Sequence, residues 1–338
     1  MPVQDLNNVA RLLVPPSKGI LASDESLGTI KKRFDSIGIE NTEENRRSYR
    51  ELLFSTSGLE EYISGVILFD ETIRQKDSNG KLFTQLLSEK GIIPGIKVDL
   101  GKVNFVNFPG EVITEGLDGL PNRLKEYVSL GAKFTKWRAE INIGDKIPSL
   151  SCISSNAEVL ARFAAISQVE GLLPIVEPEV MMKGSHSIDR SREVTASTLQ
   201  NLFLRLKEQR VDFSKILLKI NMVLPGEDCP NKVSSNEIAE ETVTLFRKFV
   251  PMEVPGIVFL SGGQTPDQAT ENLNAIGQIK DTPWQLSFSF GRALQQEALG
   301  VWAGKSENTA ISQQSFLKRL KMVSLARQGK YRKEMENE

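Results

Sequence analysis

Eight short apolar runs, several of them joined by stretches of helical spacing, constrain this chain more than any other feature. They fall at 19–25, 66–71, 93–99, 132–140, 172–179, 216–223, 256–263 and 284–293. The stretch 156–170 places Val159, Leu160, Phe163 and Ile166 at helical spacing behind serines able to cap. In 234–250, Ser235 stands before Glu237, and Ile238, Thr242, Leu245, Phe246 and Phe249 form one apolar face. A third helix is predicted over 42–54, with acidic residues in the first turn, where the helix dipole favours them.

Strand alternating with helix predicts a parallel sheet with right-handed crossovers. Eight such strands predict an α/β fold, the closed (β/α)8 TIM barrel; an open doubly wound sheet is the alternative. No Pro/Ser-rich linker interrupts the series, so 1–338 reads as a single domain with a helical stretch at 307–338. Its basic portion, 316–333, reads as a solvated helix face.

Rare residues narrow the chemistry. One histidine, His186, and two cysteines, Cys152 and Cys229, exclude a disulfide framework and any zinc site built on three or four His/Cys ligands. A Ser-His-Asp or Cys-His system would have to run through His186. Acid–base work therefore falls to carboxylates, lysines or tyrosines. The balance of 42 basic and 43 acidic residues argues against a nucleic-acid partner. No two glycines stand two apart, which removes the dinucleotide fingerprint and the kinase glycine loop. The segment 300–306 imitates a phosphate-binding P-loop, but it is one residue short and follows no strand. No signal peptide and no membrane-length apolar run is visible, so a cytoplasmic chain with reduced thiols is expected.

In a barrel of this kind the site forms at the carboxyl ends of the strands. Charged residues stand there repeatedly: Asp24, Lys97 with Asp99, Lys136 with Arg138, Glu177 with Glu179, and Lys219. Lys136/Arg138 and Glu177/Glu179 are i, i+2 pairs, so each pair shares one strand face, leaving Trp137 and Pro178 toward the helices. Inward cations and carboxylates on neighbouring strands are costly unless they compensate each other. Lys219 lies in almost wholly apolar surroundings. A free lysine titrates at about 10.4, and burial or a second ammonium favours the neutral amine that attacks a ketone. A buried lysine paired with Glu177 or Glu179 is the blander reading, and the two are compatible. Ser261-Gly262-Gly263 and Gly291-Arg292 end the last two runs, where barrels commonly bind phosphate. Arg292 adds a bidentate charge-assisted donor.

With these residues in view, the chain closely resembles class I fructose-bisphosphate aldolase from residue 19 to residue 331. The motifs are GILASDESLGTIKKRFDSIGIENTEENRRSYRELL, GIKVD, KFTKWR, PIVEPE, LLKINMV, FLSGGQ and FGRAL. The resemblance implies an eight-stranded barrel, a homotetramer, a phosphorylated sugar substrate, and no metal or cofactor. It implies that Lys219 forms the imine, that Glu177 is the general acid–base, and that Lys136 is the neighbouring ammonium assisting proton transfer. By the same likeness Glu179 orients the lysines, and Asp24 deprotonates the C4 hydroxyl. Ser261, Gly262, Gly263, Gly291 and Arg292 would cradle one phosphate; Ser26, Arg33, Lys97 and Arg138 would lie near the other phosphate or the sugar. The expected reaction is reversible cleavage of fructose 1,6-bisphosphate in glycolysis and gluconeogenesis. Another phosphosugar, such as fructose 1-phosphate, and a scaffold role for protein partners are the alternatives.

Three departures stand out. Ile220 replaces the family's usual proline, and Leu27 and Thr29 differ in the phosphate-side loop. Many members end in a tail with a terminal tyrosine that protonates the enamine. Tyr331 aligns with the helix end before that tail, and the tail is expected to be absent here.

Overall fold

The computed structural model describes residues 5–337. Its strands are β1 (Gly19–Ser23), β2 (Ile63–Leu68), β3 (Ile93–Lys97), β4 (Lys102–Asn104), β5 (Val112–Thr114), β6 (Phe134–Ile141), β7 (Leu173–Val180), β8 (Leu217–Ile220), β9 (Gly256–Phe259) and β10 (Gln285–Phe290). Eight of these close into a parallel barrel in the order β1-β10-β9-β8-β7-β6-β3-β2. The remaining two, β4 and β5, form an antiparallel hairpin after β3. The barrel and the closed topology are those expected from the alternation.

Helices wrap the outside, and their caps follow the sequence. Thr42 caps Glu43–Ser55 and Ser234 caps Ser235–Phe249, each side chain accepting from a backbone N–H of the first turn. The helix expected over 156–170 is longer, Leu150–Val169, and starts at the cap Ser149. Among the described residues no helix is long and apolar enough to cross a membrane.

The strand expected at 66–71 lies three residues earlier, because Asp70–Arg74 turns into a short helix. Ser64 and Gly65 look like breakers in the sequence, but the closed barrel needs something small there. A Cβ on Gly65 would stand 2.5 Å from Leu13 Cδ2, and one on Gly95 would stand 2.3 Å from the Phe134 ring. The first contact comes from the helix that plugs the amino end, the second from the neighbouring strand β6. Helix Leu6–Leu13 turns Leu6, Val9, Ala10 and Leu13 onto Ile20, Ile67, Phe134, Leu173 and Leu217. A second, larger core lies between strands and outer helices.

The C-terminal stretch corrects an expectation. Helix Thr309–Arg327 is not a solvated face: Phe316, Leu320, Val323 and Ala326 are fully buried, packed against the helices Pro266–Gln278 and Arg292–Trp302. Lys318, Lys321 and Lys330 are exposed, while Arg319 and Arg327 turn inward. Counting basic residues could not separate the two sets, because only the arginines found buried acceptors.

Candidate active site

All of the strand-end residues singled out in the sequence line one polar cleft at the carboxyl end of the barrel. The cleft has two adjoining lobes of about 690 and 600 Å³, which share Arg33, Arg138, Glu177, Lys219 and Gly291 along their boundary. Ser261, Gly262, Gly263, Arg292 and Glu179 belong to the first lobe; Asp24, Ser26, Lys97 and Lys136 belong to the second.

Strand pleating builds the centre. Lys136 and Arg138 alternate with Trp137, which turns outward onto Phe163 at 5.5 Å between ring centroids. Glu177 and Glu179 are presented the same way by β7, in parallel register with β6. Lys219 arrives from β8. Glu177 then stands between two lysines: its Oε1 is 3.0 Å from Lys219 Nζ and its Oε2 is 3.0 Å from Lys136 Nζ. Asp24 Oδ2 lies 2.6 Å from Lys136 Nζ on the other side. All four side chains are buried. Of the two carboxylates open to Lys219 in the sequence, Glu177 is the partner.

The electrostatics follow from that chain of alternating charge. Burial pushes the Asp24 carboxyl up, but Lys136, then Lys219 and Lys97, outweigh it and bring it down to about 2. Glu177 is also held below the usual carboxylate range, with burial opposed by Lys136 and then Lys219. Burial works against the Lys136 ammonium, yet Asp24, Glu177 and Asp99 together hold its pKa above the usual lysine value. Glu177 and Asp24 are therefore ionised at neutral pH, and Lys136 is charged. Glu177 Oε2 accepts no aligned hydrogen bond despite the nearby ammonium, which leaves it open to a proton carried by a bound group.

The two lobes are tied to this centre. Glu179 pairs with Arg138 and packs so tightly on the Ser261-Gly262-Gly263 turn that a Cβ on Gly262 would stand 2.5 Å from Glu179 Oε1. Gly263 adopts φ +75°, the left-handed region that glycine enters without strain. Arg292 opens the helix Arg292–Trp302 directly after Gly291 and donates through Nη2 to the Gln264 carbonyl at 2.9 Å. Backbone N–H groups at such a helix start, beside a guanidinium, suit a phosphate. In the second lobe Lys97 pairs with Asp99 at 2.5 Å. Ser26 is the N-cap of helix Leu27–Asp35, its Oγ 3.4 Å from the Thr29 backbone N–H. Arg33, on that helix, pairs with Glu25.

Several lining residues escaped the sequence reading. Ser289 on β10 lines the first lobe, and its buried hydroxyl has no hydrogen-bond partner. Its signal was the i, i+2 relation to Gly291 at a strand end. Lys32, Lys102 and Glu140 also reach the cleft. His186 lies on the loop after β7 and lines neither lobe. Residues 300–304 belong to a helix end rather than a phosphate loop. Among the described residues no group of three His, Cys, Asp or Glu side chains could hold a metal ion.

A closed parallel barrel with its polar residues at the carboxyl mouth defines a TIM-barrel enzyme class. Known proteins narrow it. The family model described as fructose-bisphosphate aldolase class-I matches residues 5–338. A probable class 1 fructose-bisphosphate aldolase of Xylella fastidiosa is 54% identical over 333 residues, covering 98% of this chain and 100% of its own length. Fructose-bisphosphate aldolase 4, cytosolic, of Arabidopsis thaliana is 52% identical over 94% of this chain and 81% of its own. A solved fructose-bisphosphate aldolase from Plasmodium falciparum, in complex with TRAP and a small molecule inhibitor, superposes with a TM-score of 0.95 at 48% identity, covering 97% of this chain and 95% of that one. The chain belongs to the class I fructose-bisphosphate aldolase family, a family of lyases that work through a lysine Schiff base.

Proposed function

We propose that this cleft cleaves fructose 1,6-bisphosphate reversibly to dihydroxyacetone phosphate and glyceraldehyde 3-phosphate, with Lys219 as the nucleophile. The observation that carries the reading is the Glu177 carboxylate set between Lys136 and Lys219, with cationic groups in both flanking lobes. Lys219 in its neutral form adds to the ketone carbon, giving a carbinolamine. Lys219 becomes neutral by passing its ammonium proton to Glu177, and a second amine proton moves to the ketone oxygen as the carbinolamine forms. Glu177 then returns its proton to that hydroxyl, which leaves as water, and the protonated imine remains. Asp24, ionised beside Lys136, takes the C4 hydroxyl proton. The C3–C4 bond breaks, the aldehyde departs, and the bonding pair moves into the imine to form an enamine. Protonation at C3 and hydrolysis then return the free lysine.

Charges at both ends of the cleft favour a bisphosphate over a substrate with one phosphate. Ser261, Gly262, Gly263, Gly291 and Arg292 would take one phosphate. Lys97, Arg138 and Ser26 belong with the other end of the sugar, and Arg33 lies on the boundary between lobes. Such an activity serves glycolysis and, in reverse, gluconeogenesis. A cytoplasmic site of action draws support from the cytosolic naming of Arabidopsis relatives, and a homotetramer from the family likeness. The test is borohydride reduction in the presence of dihydroxyacetone phosphate, followed by peptide mass mapping. Covalent mass on Lys219 with loss of activity is expected; mass on Lys136 or Lys97 with Lys219 unmodified would overturn the assignment.

A further inference from the structure

One buried carboxylate at the mouth takes no part in the steps above. Glu25 follows Asp24 at the end of β1, and its side chain is only 5% exposed. Two guanidinium groups close on it: Arg33, through Nη1, and Arg50, through Nη2. Gln295 donates to Glu25 Oε1 at 3.1 Å and to the Ala22 carbonyl at 2.8 Å. Arg50 is itself fixed by Ser23 Oγ at 2.9 Å, and Tyr49 donates to Gln295 Oε1 at 3.1 Å. Glu25 thus has a fixed seat that does not depend on Arg33.

The geometry of Arg33 is asymmetric. Nη1 is spent on Glu25, whereas Nε and Nη2 have no hydrogen bond among the described residues. Nη2 lies 3.8 Å from where a Cβ on Gly291 would stand, on the boundary of the two lobes. Gln295 lies one turn along the helix that Arg292 opens, so the cluster ties the first turns of that helix to the end of β1. An unanchored arginine at a cleft edge loses side-chain freedom when it binds a ligand; one already held by a carboxylate loses less.

We infer that Glu25 is a positioning residue for phosphate binding: it holds one edge of Arg33 so that the free edge faces Gly291, and stays seated on Arg50 and Gln295 when substrate binds. The burial of Glu25 opposes its ionisation, but Arg33 and then Arg50 hold its carboxyl below the usual range, so the anchor is charged at working pH. The inference rests on the reading of the cleft as a phosphosugar site, and the test separates the two.

The experiment is a double-mutant cycle on Arg33→Ala and Glu25→Gln, reading KM and kcat for fructose 1,6-bisphosphate and inhibition by inorganic phosphate. Arg33→Ala should raise KM roughly tenfold or more, the scale of a lost charge-assisted bond to phosphate. Glu25→Gln should raise KM in the same direction, more than it lowers kcat, and weaken inhibition by phosphate. The double variant should be no worse than Arg33→Ala alone. Multiplying effects would overturn the inference, because Glu25 would then act independently of Arg33. An unchanged KM in Arg33→Ala would remove the phosphate role of Arg33, and the inference with it. Should Glu25→Gln fail to fold with Arg50 left unpaired, Glu25→Gln/Arg50→Gln removes both buried charges, and the same non-additivity with Arg33→Ala is expected.

Discussion

The two ends of the barrel bury charge in opposite ways. At the carboxyl end, Asp24, Lys136, Glu177 and Lys219 alternate in sign, and each is neutralised by another ionisable group. At the amino end, Arg327 is 7% exposed and pairs with no carboxylate among the described residues. It donates instead to backbone carbonyls: Val14 at 2.9 Å, Leu286 at 3.1 Å, and also Pro15 and Lys18. Burial pulls its guanidinium down to about 10, still charged at neutral pH. The difference teaches what each charge is for. Carbonyl dipoles fix a cation without being able to take its proton, so Arg327 is a clamp between the chain's last long helix and the loop before β1. Carboxylates can take a proton, so the mouth is a relay held together at the cost of burying ions.

The largest effect should come from breaking the relay at Lys219, the proposed nucleophile. Lys219→Met should lose cleavage activity and borohydride trapping entirely, while the thermal midpoint moves little because Glu177 keeps Lys136. A Lys219→Met protein that retains trapping would mean another lysine forms the imine.

Breaking the clamp should do the reverse. Arg327→Met leaves several buried carbonyls without donors and should cost about 3 kcal/mol of unfolding free energy in urea titration. The folded fraction should keep its kcat. A destabilisation under about 0.5 kcal/mol, the scale of an ordinary surface change, would show that the clamp is ornamental.

Acid should weaken the mouth and not the floor. Asp24 titrates at about 2 when folded against 3.8 in its reference state, so its contribution is present above pH 3.8 and lost as pH falls toward 2. The shift corresponds to about 2 kcal/mol. The stability gap between parent and Asp24→Asn should close over that window, whereas the gap to Arg327→Met should stay constant. On the alkaline side, the raised Lys136 contributes fully below 10.5 and loses its contribution only as pH passes its higher folded value.

The smallest effect should sharpen the contrast inside the mouth. Ser289→Ala removes a buried hydroxyl that has no protein partner, so stability should be unchanged or slightly higher. If that hydroxyl serves substrate, KM should rise by roughly fivefold, the worth of one neutral hydrogen bond. A fall in stability with an unchanged KM would assign Ser289 to packing.

What could be read from the sequence divides along the same line. The eight barrel strands and the charged residues at their ends were legible, because a lysine or glutamate inside an apolar run is conspicuous at any strand register. The hairpin β4–β5 was not: each strand has only three residues, and Val103 is the one apolar side chain in β4. Nor was the choice of Glu177 over Glu179 as partner of Lys219, since both share a strand face and only the packing of Glu179 on Gly262 separates them. The Glu25–Arg50–Gln295 cluster joins residues far apart in sequence, and no local pattern marks it. Arg327 was hidden in a run of basic residues of which the lysines face water and only Arg319 also turns inward.

Asp24 and Arg33 come from the first strand–helix unit, while Gly291 and Arg292 follow the last strand, and the seam between those ends is closed by Ile20 opposite Ser289 and Leu21 opposite Phe290. No partial barrel contains a whole cleft. A chain still emerging from the ribosome can have most of its helices and strands in place and yet hold none of its two-ended substrate. Catalytic competence is thus the last property to be acquired in biosynthesis, and recovered turnover after refolding reports closure of that seam, which far-ultraviolet spectra of the helices would register much earlier.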